Sequence, residues 1–185
     1  MIGWRARLGF LLPPGNPTVE PEMIALAPEG VSVHFHRMAA YGAPGSLDGQ
    51  DERTRTMIDN MDGSIELLAS VEPDVIVVGH TATSYYLGRE GEADLLARLE
   101  KSAGTRVITA FGSVMQALAR LVDTEDAEAV FLSGTGMPTL PVLELLEQDL
   151  GKPVISSASA MMWDALRLAG VRQPISGYGR LLTLN

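Results

Sequence analysis

Short apolar runs alternate with helical patterns along almost the whole chain, and this alternation limits the fold more than any other feature. It argues for βαβ units and a parallel sheet flanked by helices, an α/β architecture. Strands are expected at Arg7–Leu12, Val31–Arg37, Asp74–Val78, Arg106–Ala110, Ala129–Leu132 and Pro153–Ser156. Helices are expected at Val19–Ala27, Asp51–Ser70, Glu92–Ser102, Ser113–Leu121, Pro141–Leu150 and Met161–Ala169. Met57, Met61, Ile65 and Leu68 fall on one helical stripe. Asp74–Val78 is a continuous apolar run of the kind buried on both faces. Gly151 and Gly170 follow the last two helices as stop signals. Tyr41–Gln50 reads as a loop rich in Gly and Pro, and Ser176–Asn185 as a tail.

Three polar segments each follow an apolar strand directly. They are Leu12–Thr18 (LPPGNPT), Gly79–Tyr85 (GHTATSY) and Ser133–Gly136 (SGTG). In an open parallel sheet, loops leaving the carboxyl ends of strands line the ligand crevice. These segments carry glycines, hydroxyls, an amide and one imidazole, with no lysine and no acidic cluster. Such a set suits a small anion held by neutral hydrogen bonds.

The bulk numbers exclude several classes. A chain of 185 residues suits one domain or two small lobes. A net charge of −9 argues against nucleic acid or an anionic membrane as a partner. The longest apolar runs are about six or seven residues, against roughly 20 for a membrane helix. The first run stops at Pro13-Pro14 with no small-residue cleavage site, so it reads as a strand rather than a signal peptide. The expected location is the cytoplasm. Without cysteine there is no disulfide, no thiolate nucleophile and no zinc–thiolate site. GTGM lacks the spacing and the lysine of a phosphate-binding loop. No metal or cofactor is expected.

Within the three segments His80 is the sharpest candidate, because an imidazole is the usual general acid or base near neutral pH. It could equally be a structural histidine bonding its own loop. Thr81, Thr83, Ser84 and Tyr85 could offer hydroxyls to developing negative charge, or simply satisfy turn backbone. Ser133, Gly134, Thr135 and Gly136 could form an anion nest aided by the helix that follows, or a tight turn that needs glycine. Asn16 suits either a ligand contact or a helix cap. His34 and His36 on the second strand, and Glu20 and Glu22 in a first helical turn, read as structural. The Met161, Met162, Trp163, Leu166 and Leu168 cluster reads as core. Tyr178 could line a pocket but reads better as part of a packed tail.

Four segments also resemble a known family. GKPVISSASAMMWDALRLAGV with GYGRLL, AVFLSGTGMPTLPVLELLEQDLG, LPPGNPTVEPEM and VVGHTATSYYLG are similar to segments of the aspartate/glutamate racemase superfamily. The nearest branches are maleate cis-trans isomerase and arylmalonate decarboxylase. The resemblance implies a cofactor-independent isomerase, racemase or decarboxylase acting on a small carboxylate, often a dicarboxylate, through an enolate-like intermediate. It implies two pseudosymmetric flavodoxin-like lobes, here 1–122 with 171–185, and a truncated second lobe at 123–170. The truncation follows from the seven residues 122–128, which stand where relatives carry a further strand and helix. An inert anion-binding relative or a truncated scaffold is the alternative, and the resemblance leaves room for a homo-oligomer. By the resemblance, Asn16 and Thr81 match positions that hold a substrate carboxylate, and Pro14 belongs to the same first loop. Ala82 stands where arylmalonate decarboxylase has a serine donor. The racemases and maleate isomerases carry one cysteine per half; this chain has His80 and Gly134 at those positions. Arylmalonate decarboxylase keeps only the second.

Overall fold

The computed structural model describes residues 2–43, 45–121 and 129–184. Stretch 122–128, on which the expectation of a truncated lobe turns, lies outside them. Six strands are described: β1 (Ala6–Leu12), β2 (Val31–Arg37), β3 (Val75–Val78), β4 (Arg106–Thr109), β5 (Val130–Leu132) and β6 (Val154–Ser156). Seven α-helices accompany them: α1 (Val19–Leu26), α2 (Leu47–Asp59), α3 (Met61–Ala69), α4 (Thr81–Ala103), α5 (Ala110–Leu121), α6 (Leu140–Leu150) and α7 (Ser157–Leu168). A short 3₁₀ turn covers Arg180–Thr183.

Strands β1 to β4 form one sheet in the order β2-β1-β3-β4, and β5 and β6 form a second. Every pairing is parallel. The four-stranded order is that of the flavodoxin-type sheet, whose topological switch point lies between β1 and β3. β1 and β3 are buried on both faces, and their side chains divide by the period of two that a pleated strand imposes. Leu8, Phe10, Leu12, Val75 and Val77 enter one core cluster, with α1, α6, α7 and β6. Leu11, Ile76 and Val78 enter the other, with Met57, Met61, Ile65 and Leu68 of α2 and α3. The methionine stripe is therefore core, as its spacing predicts. Gly9 lies under α3; a Cβ there would come within 3.2 Å of Leu68 Cδ2.

α7 is buried from Ser157 to Leu166. Ser156 caps it, its side chain accepting from Ser159 N while the Ser159 hydroxyl accepts from Ser156 N. Met161, Met162 and Trp163 are core, as expected.

Several boundaries differ from the sequence reading. α2 begins at Leu47 rather than Asp51, because Ser46 accepts from Gly49 N and opens the helix inside the glycine-rich segment. The single helix expected over 51–70 is broken at Asn60. α7 begins four residues before Met161 because of the Ser156 cap. The largest difference is α4. It starts at Thr81 and runs through a kink at Gly88, whose φ is +66°. Segment 79–85 is thus a loop only at Gly79 and His80, and its hydroxyl residues occupy the first turns of a helix. No helix among the described residues is long and apolar enough to cross a membrane.

Glu22 has a role the sequence does not display. It is buried at 7% exposure, and its Oε1 accepts from Thr139 N at 2.7 Å and Leu140 N at 3.1 Å. A carboxylate from α1 thereby caps α6, where the helix dipole favours negative charge. Glu22→Ala leaves both N–H groups buried without an acceptor and should cost about 2 kcal/mol. Urea unfolding should show a lower midpoint at unchanged slope, and an unshifted midpoint would refute the capping role.

Candidate functional site

The segments after β1, β3 and β5 meet at one place. Pro14 and Asn16, His80, and Thr135 with Gly136 line a single cavity of about 600 Å³. Its position follows from the sheet order, since β1 and β3 are neighbours and their carboxyl ends open on the same side. Gly79 permits the close approach. Its N–H donates to Leu11 O at 2.8 Å, and a Cβ would stand 2.6 Å from Leu12 Cδ2.

Asn16 ties the first loop to the third. Its Nδ2 donates to Thr135 O at 2.8 Å, and its Oδ1 accepts from Thr18 N and Val19 N, both at 3.0 Å. The amide therefore organises the start of α1 and holds the 133–136 turn at once. Thr135 adds a bond from its hydroxyl to Gly79 O at 3.2 Å, so all three loops are linked. From the end of β2, Arg37 donates to Pro13 O at 3.0 Å and Asn16 O at 2.6 Å, and pairs with Glu20 at 2.7 Å. Nδ2 also lies 3.3 Å from Thr135 Oγ1, so Asn16 reaches a ligand by exchanging a bond to Thr135.

His80 is the N-cap residue of α4, in extended conformation with φ −142°. Its Nδ1 lies 3.0 Å from Thr83 Oγ1, while Nε2 has no protein partner among the described residues. Burial pushes its imidazole from the ordinary 6.5 down to about 4. At neutral pH the ring is uncharged, so it is a hydrogen-bonding group first. The acid–base role expected near pH 7 then requires a neighbouring anion to raise its pKa.

The His80 side chain makes no cap bond to α4. The first turn of α4 meets the cavity at Ala82, so the positive end of that helix faces the space. The helix after the third loop does not supply this. α6 starts only at Leu140, and its leading N–H groups are taken by Glu22.

The remaining candidates sit away from the cavity wall. Thr81 is buried in the first turn of α4, Thr83 is turned to His80, and Ser84 donates to Glu92 Oε1 at 2.6 Å. Tyr85 packs edge-on against Phe111 with centroids 5.3 Å apart, its hydroxyl 3.4 Å from Ser133 Oγ on the outer side. Gly134 adopts φ +104°, a left-handed conformation, with nothing within 4 Å of its Cβ position. Tyr178 borders a separate apolar cleft beside Pro17, Glu22 and Pro138. Helix α2 supplies a wall that the sequence reading missed, with Gln50, Arg53, Thr54 and Met57 facing the cavity. The signal was present: stepping back from Met57 by helical spacing reaches Arg53, Thr54 and Gln50. Among the described residues no group of three or more His, Asp or Glu side chains is placed to hold a metal.

A parallel α/β protein with a cavity at its switch point matches known proteins both in sequence and in fold. The arylmalonate decarboxylase family model matches residues 120–182. The arylmalonate decarboxylase of Bordetella bronchiseptica is 46% identical over 57 residues, which is 30% of this chain and 24% of that protein. Maleate isomerase of Nocardia farcinica (strain IFM 10152) is 35% identical over 85 residues, 45% of this chain and 34% of that enzyme. The matched segments thus span about a quarter and about a third of the length of these two curated relatives. A solved structure of a Nocardia farcinica maleate cis-trans isomerase variant, holding a covalently bound succinylcysteine intermediate, superposes with a TM-score of 0.80. That match has 20% identity and covers 96% of this chain and 98% of that one. The likeness to the solved structure shows the fold, and the sequence matches show similarity to an arylmalonate decarboxylase and a maleate isomerase over part of their length.

The displaced imidazole pKa has a measurable consequence. Unfolded His80 takes a proton near pH 6.5 and the native residue only near 4. The stability gained by keeping the ring neutral is complete above pH 6.5 and is lost as pH falls towards 4. Replacing His80 with Gln should remove up to about 3 kcal/mol of acid-dependent destabilisation between those limits. Equal acid sensitivity of the variant and the wild type in urea titrations at pH 7.5 and 4.5 would refute the buried neutral imidazole.

Proposed function

We propose that this chain is a cofactor-independent isomerase, racemase or decarboxylase that acts on a small carboxylate through an enolate-like intermediate. The observation that carries the reading is the start of α4, where the positive end of the helix opens into a cavity with no side-chain cap. A carboxylate placed there receives backbone N–H groups and the helix dipole. The same groups stabilise an enediolate more strongly than the carboxylate as charge accumulates on its oxygens. Thr135 and Gly136 border the opposite side, and Asn16 joins if its bond to Thr135 exchanges. Thr81 contributes through its place in the first turn, while Ser84, Tyr85, Ser133 and Gly134 stand behind the wall as support.

Proton transfer passes through His80 Nε2 or a bound water. A ligand carboxylate beside the ring favours its charged form and brings its pKa towards the working range. Two-thiol racemisation and covalent thiol chemistry are excluded for this chain, which has no cysteine. Residues 123–170 act as the truncated second lobe. The reading keeps the protein cytoplasmic and needs no metal, nucleic acid or membrane.

The missing thiols favour one second reading, an inert relative that retains the anion cavity. Incubation with malonate, maleate and phenylmalonate in deuterated water separates the two. The enzyme reading expects deuterium exchange, isomerisation or loss of carbon dioxide for at least one ligand. His80→Ala should lower that rate about 10²- to 10⁴-fold with little change in melting temperature. Thermal stabilisation without turnover would favour the inert relative. Neither stabilisation nor turnover at millimolar ligand would overturn both.

A further inference from the structure

The cavity has two unlike sides. One carries uncharged polar groups, those of Asn16, His80 and Thr135, beside the start of α4. The other is one face of α2, where Gln50, Arg53 and Thr54 lie one and two turns before the buried Met57. Arg53 is half-buried and is the one arginine or lysine that lines the cavity among the described residues. Its Nη1 donates to Gly42 O at 3.3 Å, which anchors the side chain through one of five donors. Asp51, the acidic residue on this wall, is exposed.

Charge makes this asymmetry matter. The protein carries a net charge of −9 and repels anions at long range. Neutral donors orient a carboxylate but do not neutralise it. A ligand with one carboxylate against the start of α4 can turn its other end towards α2, whose residues line the same cavity. An aryl or alkyl group there would desolvate a guanidinium, an amide and a hydroxyl without replacing their hydrogen bonds. An anion would receive a charge-assisted fork.

We infer that Arg53 is the specificity-determining residue of this cavity and receives the second, anionic end of the ligand. It thereby selects molecules charged at both ends over those with an apolar end. The inference rests on the carboxylate reading above, and the test separates the two.

Calorimetric titration at low salt with maleate and with isocrotonate, which replaces one carboxylate with methyl in the same cis geometry, reads the second charge directly. The wild type should bind maleate at least about 10-fold tighter. Arg53→Gln should weaken maleate about 10- to 100-fold and leave isocrotonate within about twofold. Arg53→Lys should recover part of the loss. Equal binding of the two ligands by the wild type, or equal weakening of both by Arg53→Gln, would overturn the role of Arg53 alone. Binding of neither by the wild type would remove the carboxylate reading and this inference together. Should Arg53→Gln not fold, the wild-type pair of titrations repeated at high salt still decides: the preference for maleate must shrink as salt screens the contact.

Discussion

The amide of Asn16 is the junction on which the site depends. Its acceptor side organises the start of α1, and its donor side holds the backbone of Thr135 from a part of the chain 119 residues away. Thr18 supports the same tie, its hydroxyl donating to Thr135 O at 2.6 Å. Arg37 reinforces the arrangement from below, gripping two carbonyls of the first loop while Glu20 holds the guanidinium. A pair with both partners about one-third exposed contributes little through charge alone. Its value is geometric, because planar donors fix the backbone that presents Asn16.

Glu22 makes the second long connection, from α1 to the head of α6. These two links set which helix ends are available for other chemistry. α6 is capped from within the protein, whereas α4 begins at the cavity with no side-chain cap. The electrostatics therefore concentrate on one helix terminus beside one imidazole, the arrangement from which the carboxylate reading follows.

The alternation of strands and helices, the core stripes and the meeting of three strand-end loops were legible in the sequence, because they follow from local periodicity and from the geometry of parallel sheets. Two features were less so. Segment 79–85 reads as a loop because Thr and Ser are common in turns, yet the helix entered there is stabilised by its packing rather than by local propensity. Arg53 escaped notice because attention to strand ends leaves out the helix that closes the crevice from the side. Glu22 looked like an ordinary acidic residue of a first turn; its partner is distant in sequence, and no local pattern announces such a contact. The lowered pKa of His80 likewise depends on burial, which spacing alone does not supply.

Gly134 and His80, both at the crevice loops, differ in what their backbones allow. Position 80 has an extended backbone that any residue adopts, so a single codon change could install a side chain of another chemistry there. Position 134 has free space for a Cβ but a φ of +104°, which L residues rarely tolerate. A side chain at that point needs the turn to refold first. The two halves of the crevice therefore differ in what their backbones admit: position 80 takes any side chain without moving, and position 134 favours a bare glycine.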